Sequence, residues 1–99
     1  MSLHILIATS KQNRDSYMPE ITRFLGIIIL MYFDEHKPPH FHVQYNDYRA
    51  TMDIRTLNIT AGSLPARVRG LVEEWAEPHQ DELIGMWETK EFHRIAPLV

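Results

Sequence analysis

Histidines are concentrated in one short segment of this sequence. Of the six histidines, His36, His40 and His42 lie close together between positions 36 and 42. Imidazole nitrogens bind transition metals, and an imidazole with an unperturbed pKa of about 6.5 also transfers protons near neutral pH. The segment therefore predicts a site for metal binding or for acid–base chemistry.

A predicted β-hairpin positions two of these histidines. Residues 40–45 and 48–54 both alternate polar and apolar side chains, as half-buried strands do. Asn46-Asp47 between them is a plausible two-residue turn, because both residue types tolerate positive φ. The resulting register predicts that His40 faces Asp53 and that His42 faces Thr51.

The candidate site lies on the polar face of this hairpin. Directly opposite side chains have Cβ atoms about 5 Å apart, so a histidine and an aspartate there can share a ligand. The loop before the first strand supplies further donors. Imidazole and carboxylate groups together suit zinc or manganese better than calcium. The predicted catalytic residues are His40, His42 and Asp53, and the predicted metal ligands are Asp34, His36, His40, His42 and Asp53.

Two other interpretations of the same residues remain open. The histidines can fix the proline-containing loop by binding backbone carbonyls, with His40 and Asp53 forming a structural link between strands. They can also carry out acid–base chemistry without a metal, although Thr51 is the only hydroxyl that the register places beside them. The spacing HxxxHxH matches no single metalloenzyme signature.

The remaining elements predict an α+β domain. Residues 24–33 form an apolar run that contains Gly26, which predicts a single strand at the centre of the sheet. Residues 57–60 predict a short fourth strand, and residues 64–76 and 78–90 predict two amphipathic helices. We therefore expect a β-β-β-β-α-α order, with a four-stranded antiparallel meander covered on its apolar face by two C-terminal helices.

Composition limits the function classes. The chain has 99 residues, enough for one domain, and no cysteine, which excludes disulfides and thiolate metal sites. A net charge of −3 without a basic run argues against a general nucleic-acid coat. We expect a cytoplasmic protein with no membrane-spanning segment, in which residues 18–99 form the domain and residues 1–17 are an N-terminal extension of uncertain status. Within that extension, residues 3–8 are a possible edge strand.

Several short motifs together resemble one known family. They are Met18-Pro19-Glu20-Ile21, the strand from Gly26 to Phe33, His36-Lys37-Pro38-Pro39-His40-Phe41-His42, Leu64-Pro65 and Glu74-Trp75-Ala76. Over residues 18–98 they resemble the small prokaryotic family called domain of unknown function 4160. The resemblance implies no established activity. It implies only that such proteins are often encoded beside a small uncharacterised partner, as toxin and antitoxin pairs are.

Two functions follow as hypotheses, and whether the protein is an enzyme stays open. The first is an interaction module that binds a small protein partner or a second copy of itself. In one version of this hypothesis, the protein and its partner are the two halves of a toxin–antitoxin-like two-gene unit. The alternative is a metal-dependent hydrolase or ribonuclease centred on His36, His40, His42 and Asp53, in which case RNA is a candidate substrate.

Overall fold

A single five-stranded antiparallel sheet forms the body of the protein. The computed structural model describes residues 19–33 and 35–99. The strands lie in the sheet in the order in which they occur in the chain, so each pairs with its sequence neighbours. They are β1 (Glu20–Phe24), β2 (Ile27–Leu30), β3 (His40–Tyr45), β4 (Tyr48–Asp53) and β5 (Ile59–Gly62).

The predicted α+β class is confirmed, but the predicted count of four strands is wrong. The apolar run at residues 24–33 is not one strand, because Leu25 and Gly26 form a turn with φ values of 51° and 79°. The chain reverses there, and β1 pairs with β2. The central strand of the sheet is β3. A leucine with positive φ is uncommon, so Gly26 was the one residue of the apolar run that indicated a turn.

The predicted hairpin between β3 and β4 is confirmed together with its register. His40 pairs with Asp53, His42 with Thr51, and Tyr45 with Tyr48. Asn46 has a φ of 52°, as a tight turn of this kind requires. Because the pairing is in the predicted register, Phe41 and Val43 point into the core and the two histidines point to the opposite face, here called the outer face.

The C-terminal half contains one helical region instead of two separate helices. Helix α1 (Ala66–Ala76) leads into a single 3-10 turn (Glu77–His79) and then directly into α2 (Gln80–Thr89). Pro78 lies in the 3-10 turn. It lacks an N–H group, so it changes the hydrogen-bond pattern there without ending the helical course of the chain. The predicted fourth strand at residues 57–60 corresponds to β5, displaced by two residues.

The core lies between the inner face of the sheet and the helical region. Trp75 is 1% exposed, and its ring packs against the rings of Phe24 and Phe41 at centroid distances of 6.4 and 6.2 Å. Val68 and Val72 lie on the same side of α1, and Leu83 on α2 is fully buried. This packing covers the inner face of the β3–β4 hairpin, and the outer face of the same hairpin carries the two histidines.

The C-terminal segment fastens the first strand to the first helix. The backbone N–H of Ile95 donates to the carbonyl oxygen of Ile21 at 2.9 Å. The indole Nε1–H of Trp75 donates to the carbonyl oxygen of Ala96 at the same distance. Ile95 is itself 6% exposed, so this segment belongs to the core.

The predictions for the N-terminal extension, including a strand at residues 3–8, lie outside the described residues. Within residues 19–33 and 35–99, neither helix has the length and apolar character needed to cross a membrane.

Candidate functional site

A carboxylate and two imidazoles meet on the outer face. Oε1 of Glu35 lies 2.5 Å from Nε2 of His40 and 2.7 Å from Nε2 of His42. The histidines are neighbours on one side of β3, and Glu35 comes from the loop that precedes this strand. The three groups form what we call the Glu35 cluster, and one ligand atom from each lies within 4.8 Å of the others.

The second nitrogen of His40 fixes its ring. Nδ1 of His40 donates to the carbonyl oxygen of Pro38 at 2.7 Å, because a carbonyl oxygen can only accept. The loop therefore holds the ring through its own backbone and turns Nε2 toward Glu35. The ring of Trp87 lies at a centroid distance of 4.9 Å from the His40 ring, which limits its movement further.

His42 is held by stacking and by the neighbouring strand. The ring of Tyr32 stacks on it at a centroid distance of 4.1 Å with an interplanar angle of 14°. The hydroxyl of Thr51, its cross-strand partner, lies 3.4 Å from Nδ1 of His42, at the long end of hydrogen-bond distances. His42 thus keeps one orientation, although its Nδ1 contact is weaker than that of His40.

Electrostatics keep Glu35 ionised. Partial burial alone would raise the pKa of Glu35, but hydrogen bonds from His42 and His40 outweigh this effect and lower it. The phenol of Tyr32 shows the opposite shift, since burial and the nearby Glu35 carboxylate raise its pKa. The side chains of the cluster are between 14% and 22% exposed, so solvent reaches them from one side.

The predicted site residues are only partly brought together. His40 and His42 converge as expected. Asp53 faces His40 in the register, but its Oδ1 accepts the backbone N–H groups of Arg55 and Thr56 at 2.8 and 2.9 Å. Short polar side chains after a strand commonly form such turns, and this one draws the carboxylate away from the histidines.

The other two predicted ligands, His36 and Asp34, have different outcomes. His36 is exposed and is not among the residues of the Glu35 cluster. Asp34 lies outside the described residues. Of the three imidazoles predicted to converge, His40 and His42 meet in the described part of the chain, and the carboxylate between them there is that of Glu35.

Glu35 is the residue that sequence reasoning missed. It lies between Asp34 and His36, both of which were candidates, and nothing in a loop of this composition tells which side chain turns inward. The signal that was present is the following Pro38-Pro39 pair, which restricts the backbone of the segment between the carboxylate and His40.

Two cavities flank the cluster. One, of about 350 Å³, lies beside His42 and contains Tyr32, Thr51 and Arg49 in its wall, but Arg49 donates to the carbonyl oxygens of Asn46 and Tyr48. The other, of about 480 Å³, begins at Glu35. Its wall carries three cationic side chains: Lys37, Arg55 and Lys90. Both volumes lie in the range of small-molecule sites.

A comparison with known protein families identifies the family of this chain. Residues 26–88, from the turn before β2 to the last turn of α2, match the model of a domain of unknown function, DUF4160. The chain belongs to the DUF4160 family. All three residues of the Glu35 cluster lie within the matched segment of this DUF4160 member. No curated protein and no solved structure matches the chain.

Proposed function

We propose that this protein binds one divalent transition-metal ion through Glu35, His40 and His42 and uses it in hydrolysis. The observation that carries the proposal is the convergence of two Nε2 atoms on a single carboxylate oxygen, at 2.5 and 2.7 Å. Two nitrogens and one oxygen from such side chains are a common ligand set for catalytic zinc and for iron.

The proton balance of the cluster favours a cation. Each of the two contacts needs a proton between nitrogen and oxygen, because an ionised carboxylate and an imidazole lone pair repel each other. A divalent ion can replace both protons. The Nδ1–H of His40 already donates to the carbonyl of Pro38, which is how metal-binding histidines are usually held by a second partner.

Metal binding requires a modest local movement. Tetrahedral zinc with bonds of about 2.0–2.1 Å separates its ligand atoms by about 3.3 Å, which is longer than the present contacts. Binding of zinc would therefore require Glu35 to move away from both imidazole nitrogens. Glu35 lies in a loop and both histidines lie in strand β3, so we expect the carboxylate to adjust more than the imidazoles.

Three protein ligands leave a position open for water. A metal ion in such a site lowers the pKa of a bound water and so supplies a nucleophile near neutral pH. The protein residues position the ion: the Pro38 carbonyl and the Tyr32 ring hold the imidazoles, and Glu35 supplies negative charge. The partial exposure of the cluster gives a substrate access to the open side.

The test is metal binding by the untagged full-length chain. After dialysis against zinc or manganese, elemental analysis should give about one ion per chain, and His40→Ala with His42→Ala should abolish it. A matched control removes His79 and His93, which contact Glu82 from two sides at 3.5 and 3.4 Å but do not form a comparably tight cluster. Circular dichroism checks that each variant is folded. Equal metal content in both double variants, or none in the wild type, overturns the proposal.

A second function is favoured by the free edge of the sheet. Among residues 19–33 and 35–99, strand β5 is last in the sheet and pairs only with β4, and its residues Thr60–Gly62 are exposed. Such an edge can accept a strand from another chain. We propose that a small protein partner, of the kind a toxin–antitoxin-like two-gene unit supplies, or a second copy of the chain adds to β5.

This second proposal is tested by co-expression with the product of the adjacent gene and by size-exclusion chromatography of the chain alone. We expect a stable complex or a dimer that Thr60→Lys disrupts, because a lysine on an edge strand disfavours strand addition. A monomer that does not co-elute with the neighbouring gene product contradicts it.

A further inference from the structure

The larger cavity beside Glu35 has the charges of an anion site. Lys37, Arg55 and Lys90 contribute three cations to its wall, and the carboxylates that the described residues place there are Glu35 and the exposed Glu88. Glu35 is engaged with two imidazoles, so Glu88 is the carboxylate that opposes an incoming anion. The cations outnumber the uncommitted carboxylate.

The fold holds the backbone at Arg55 and the ammonium of Lys90. The backbone carbonyls of Ile54 and Arg55 accept from the side-chain amide of Gln80 at 2.7 and 3.0 Å, which fastens this turn to the start of α2. The ammonium of Lys90 lies 3.8 Å from the centroid of the Trp87 ring, a cation–π contact. A cation that is already ordered, as that of Lys90 is, binds a ligand at a lower entropic cost than a free one.

The charged groups of Lys37 and Arg55 are the cavity's candidate ligand-binding groups. Among the described residues, neither side chain forms a hydrogen bond or an ion pair. The guanidinium of Arg55 presents donors in a planar fork that matches two oxygens of a phosphate group. In the smaller cavity, by contrast, the guanidinium of Arg49 already donates hydrogen bonds to two backbone carbonyl oxygens.

We propose that this cavity binds the phosphate group of a phosphate ester and that such esters are the substrates of the site. The inference rests on the proposed metal site for its chemistry, since Glu35 borders both. Hydrolysis adds the water oxygen to phosphorus and breaks the ester P–O bond, whose electron pair stays on the alcohol oxygen. One water proton ends on that oxygen and the other on the released phosphate.

The first experiment measures binding of inorganic phosphate to the zinc-treated full-length chain by isothermal titration calorimetry. We expect Arg55→Gln and Lys37→Gln each to weaken binding by at least about tenfold, because each removes a charge-assisted contact. Arg67→Gln is the matched control, since Arg67 is exposed on α1 and does not line the cavity. Equal affinity in Arg55→Gln and Arg67→Gln, or no binding to the wild type, overturns the inference.

Metal content measured in the same samples separates the two proposals. If the Arg55→Gln variant retains zinc but no longer binds phosphate, both proposals are supported. If the wild type binds zinc but does not bind phosphate, only the phosphate site is overturned. A second experiment offers phenyl phosphate and a single-stranded RNA oligonucleotide to the zinc-treated chain. Turnover that Arg55→Gln lowers identifies which of the two ester sources fits, and no turnover of either overturns the substrate assignment.

Discussion

Nε2 of His42 lies 2.7 Å from Oε1 of Glu35, so a loop residue is bound to the third strand of the sheet. The same oxygen contacts His40. One carboxylate therefore determines the arrangement of both imidazoles, and its replacement should affect the whole cluster.

The first prediction concerns Glu35→Gln. The amide keeps the size of the side chain but removes its negative charge, so zinc affinity should fall by at least about 100-fold, as losing a ligand costs no less than losing a supporting residue. Competition with a chromogenic chelator measures the affinity. Glu88→Gln, which alters an exposed carboxylate in the neighbouring cavity wall, should leave it unchanged. Similar affinities for the two variants would exclude Glu35 as a ligand.

The second prediction separates Asp53 from the cluster. Its Oδ1 accepts two backbone N–H groups in the turn after β4, so Asp53→Ala should lower the free energy of unfolding by about 1–2 kcal/mol. Zinc affinity should not change. Asp53→Asn, which keeps an acceptor oxygen, should recover most of the stability in urea denaturation. A folded Asp53→Ala that loses zinc would restore Asp53 as a ligand.

The outcome for Asp53 shows how far the sequence determines this site. Alternating polarity and an Asn-Asp turn were enough to place His40 opposite Asp53, because a strand register has only a few choices. Which way a short carboxylate turns is decided by backbone N–H groups that appear only once the next turn has formed. Glu35 was unpredictable for the same reason, since loop side chains follow no periodicity.

The fold shows the same division between regular and irregular segments. Periodic patterns located β3, β4 and both helical segments to within two residues. They failed at Leu25, where a positive φ lets the chain reverse inside an apolar run, and at Pro78, where the helical course continues through a 3-10 turn. Both failures are single backbone conformations that tertiary packing selects.

The third prediction compares two glycines. Gly62 has a φ of 77°, and a Cβ there would lie 2.0 Å from the carbonyl oxygen of Arg49. Gly62→Ala should therefore destabilise the protein by more than about 1 kcal/mol. Gly70→Ala should instead stabilise it by about 0.5–1 kcal/mol, since Gly70 is exposed within α1 and a Cβ there meets nothing within 4 Å. Thermal unfolding with both variants gives the comparison, and shifts of the same sign would contradict it.

The fourth prediction uses two leucines with opposite burial. Leu83 on α2 is 0% exposed, and Leu25 in the β1–β2 turn is 54% exposed. Truncation of Leu83 to alanine should lower the free energy of unfolding by about 2–5 kcal/mol, because it removes packed core atoms. Leu25→Ala should change it by less than about 0.5 kcal/mol. Comparable losses in guanidinium denaturation would mean that the helical region does not cover the sheet as described.

The fifth prediction is a pH dependence at Glu20. Hydrogen bonds from Arg23 lower the pKa of Glu20 despite some burial, and Arg94 adds a further attraction. A lowered pKa in the folded state means that the stabilisation is present above the unfolded value of 4.5 and is lost as the pH falls through the folded value.

Glu20→Gln should accordingly lower the melting temperature at neutral pH by a few degrees at most, since these contacts are largely at the surface. At a pH below the lowered pKa of folded Glu20 the variant and the wild type should melt together, because Glu20 is then protonated in both states. High salt at neutral pH should also reduce the difference. A difference that grows in acid would contradict the assignment.

The bond from Ile95 to Ile21 has a practical consequence for anyone trimming the protein. The segment that matches the family model, residues 26–88, excludes both partners of that bond, along with β1 and the Ala96 carbonyl that accepts the hydrogen bond of the Trp75 indole. A fragment cut to those borders would leave Ile27 and Trp75 uncovered and would be prone to aggregate. The matched segment alone therefore lacks contacts that complete the core of this chain.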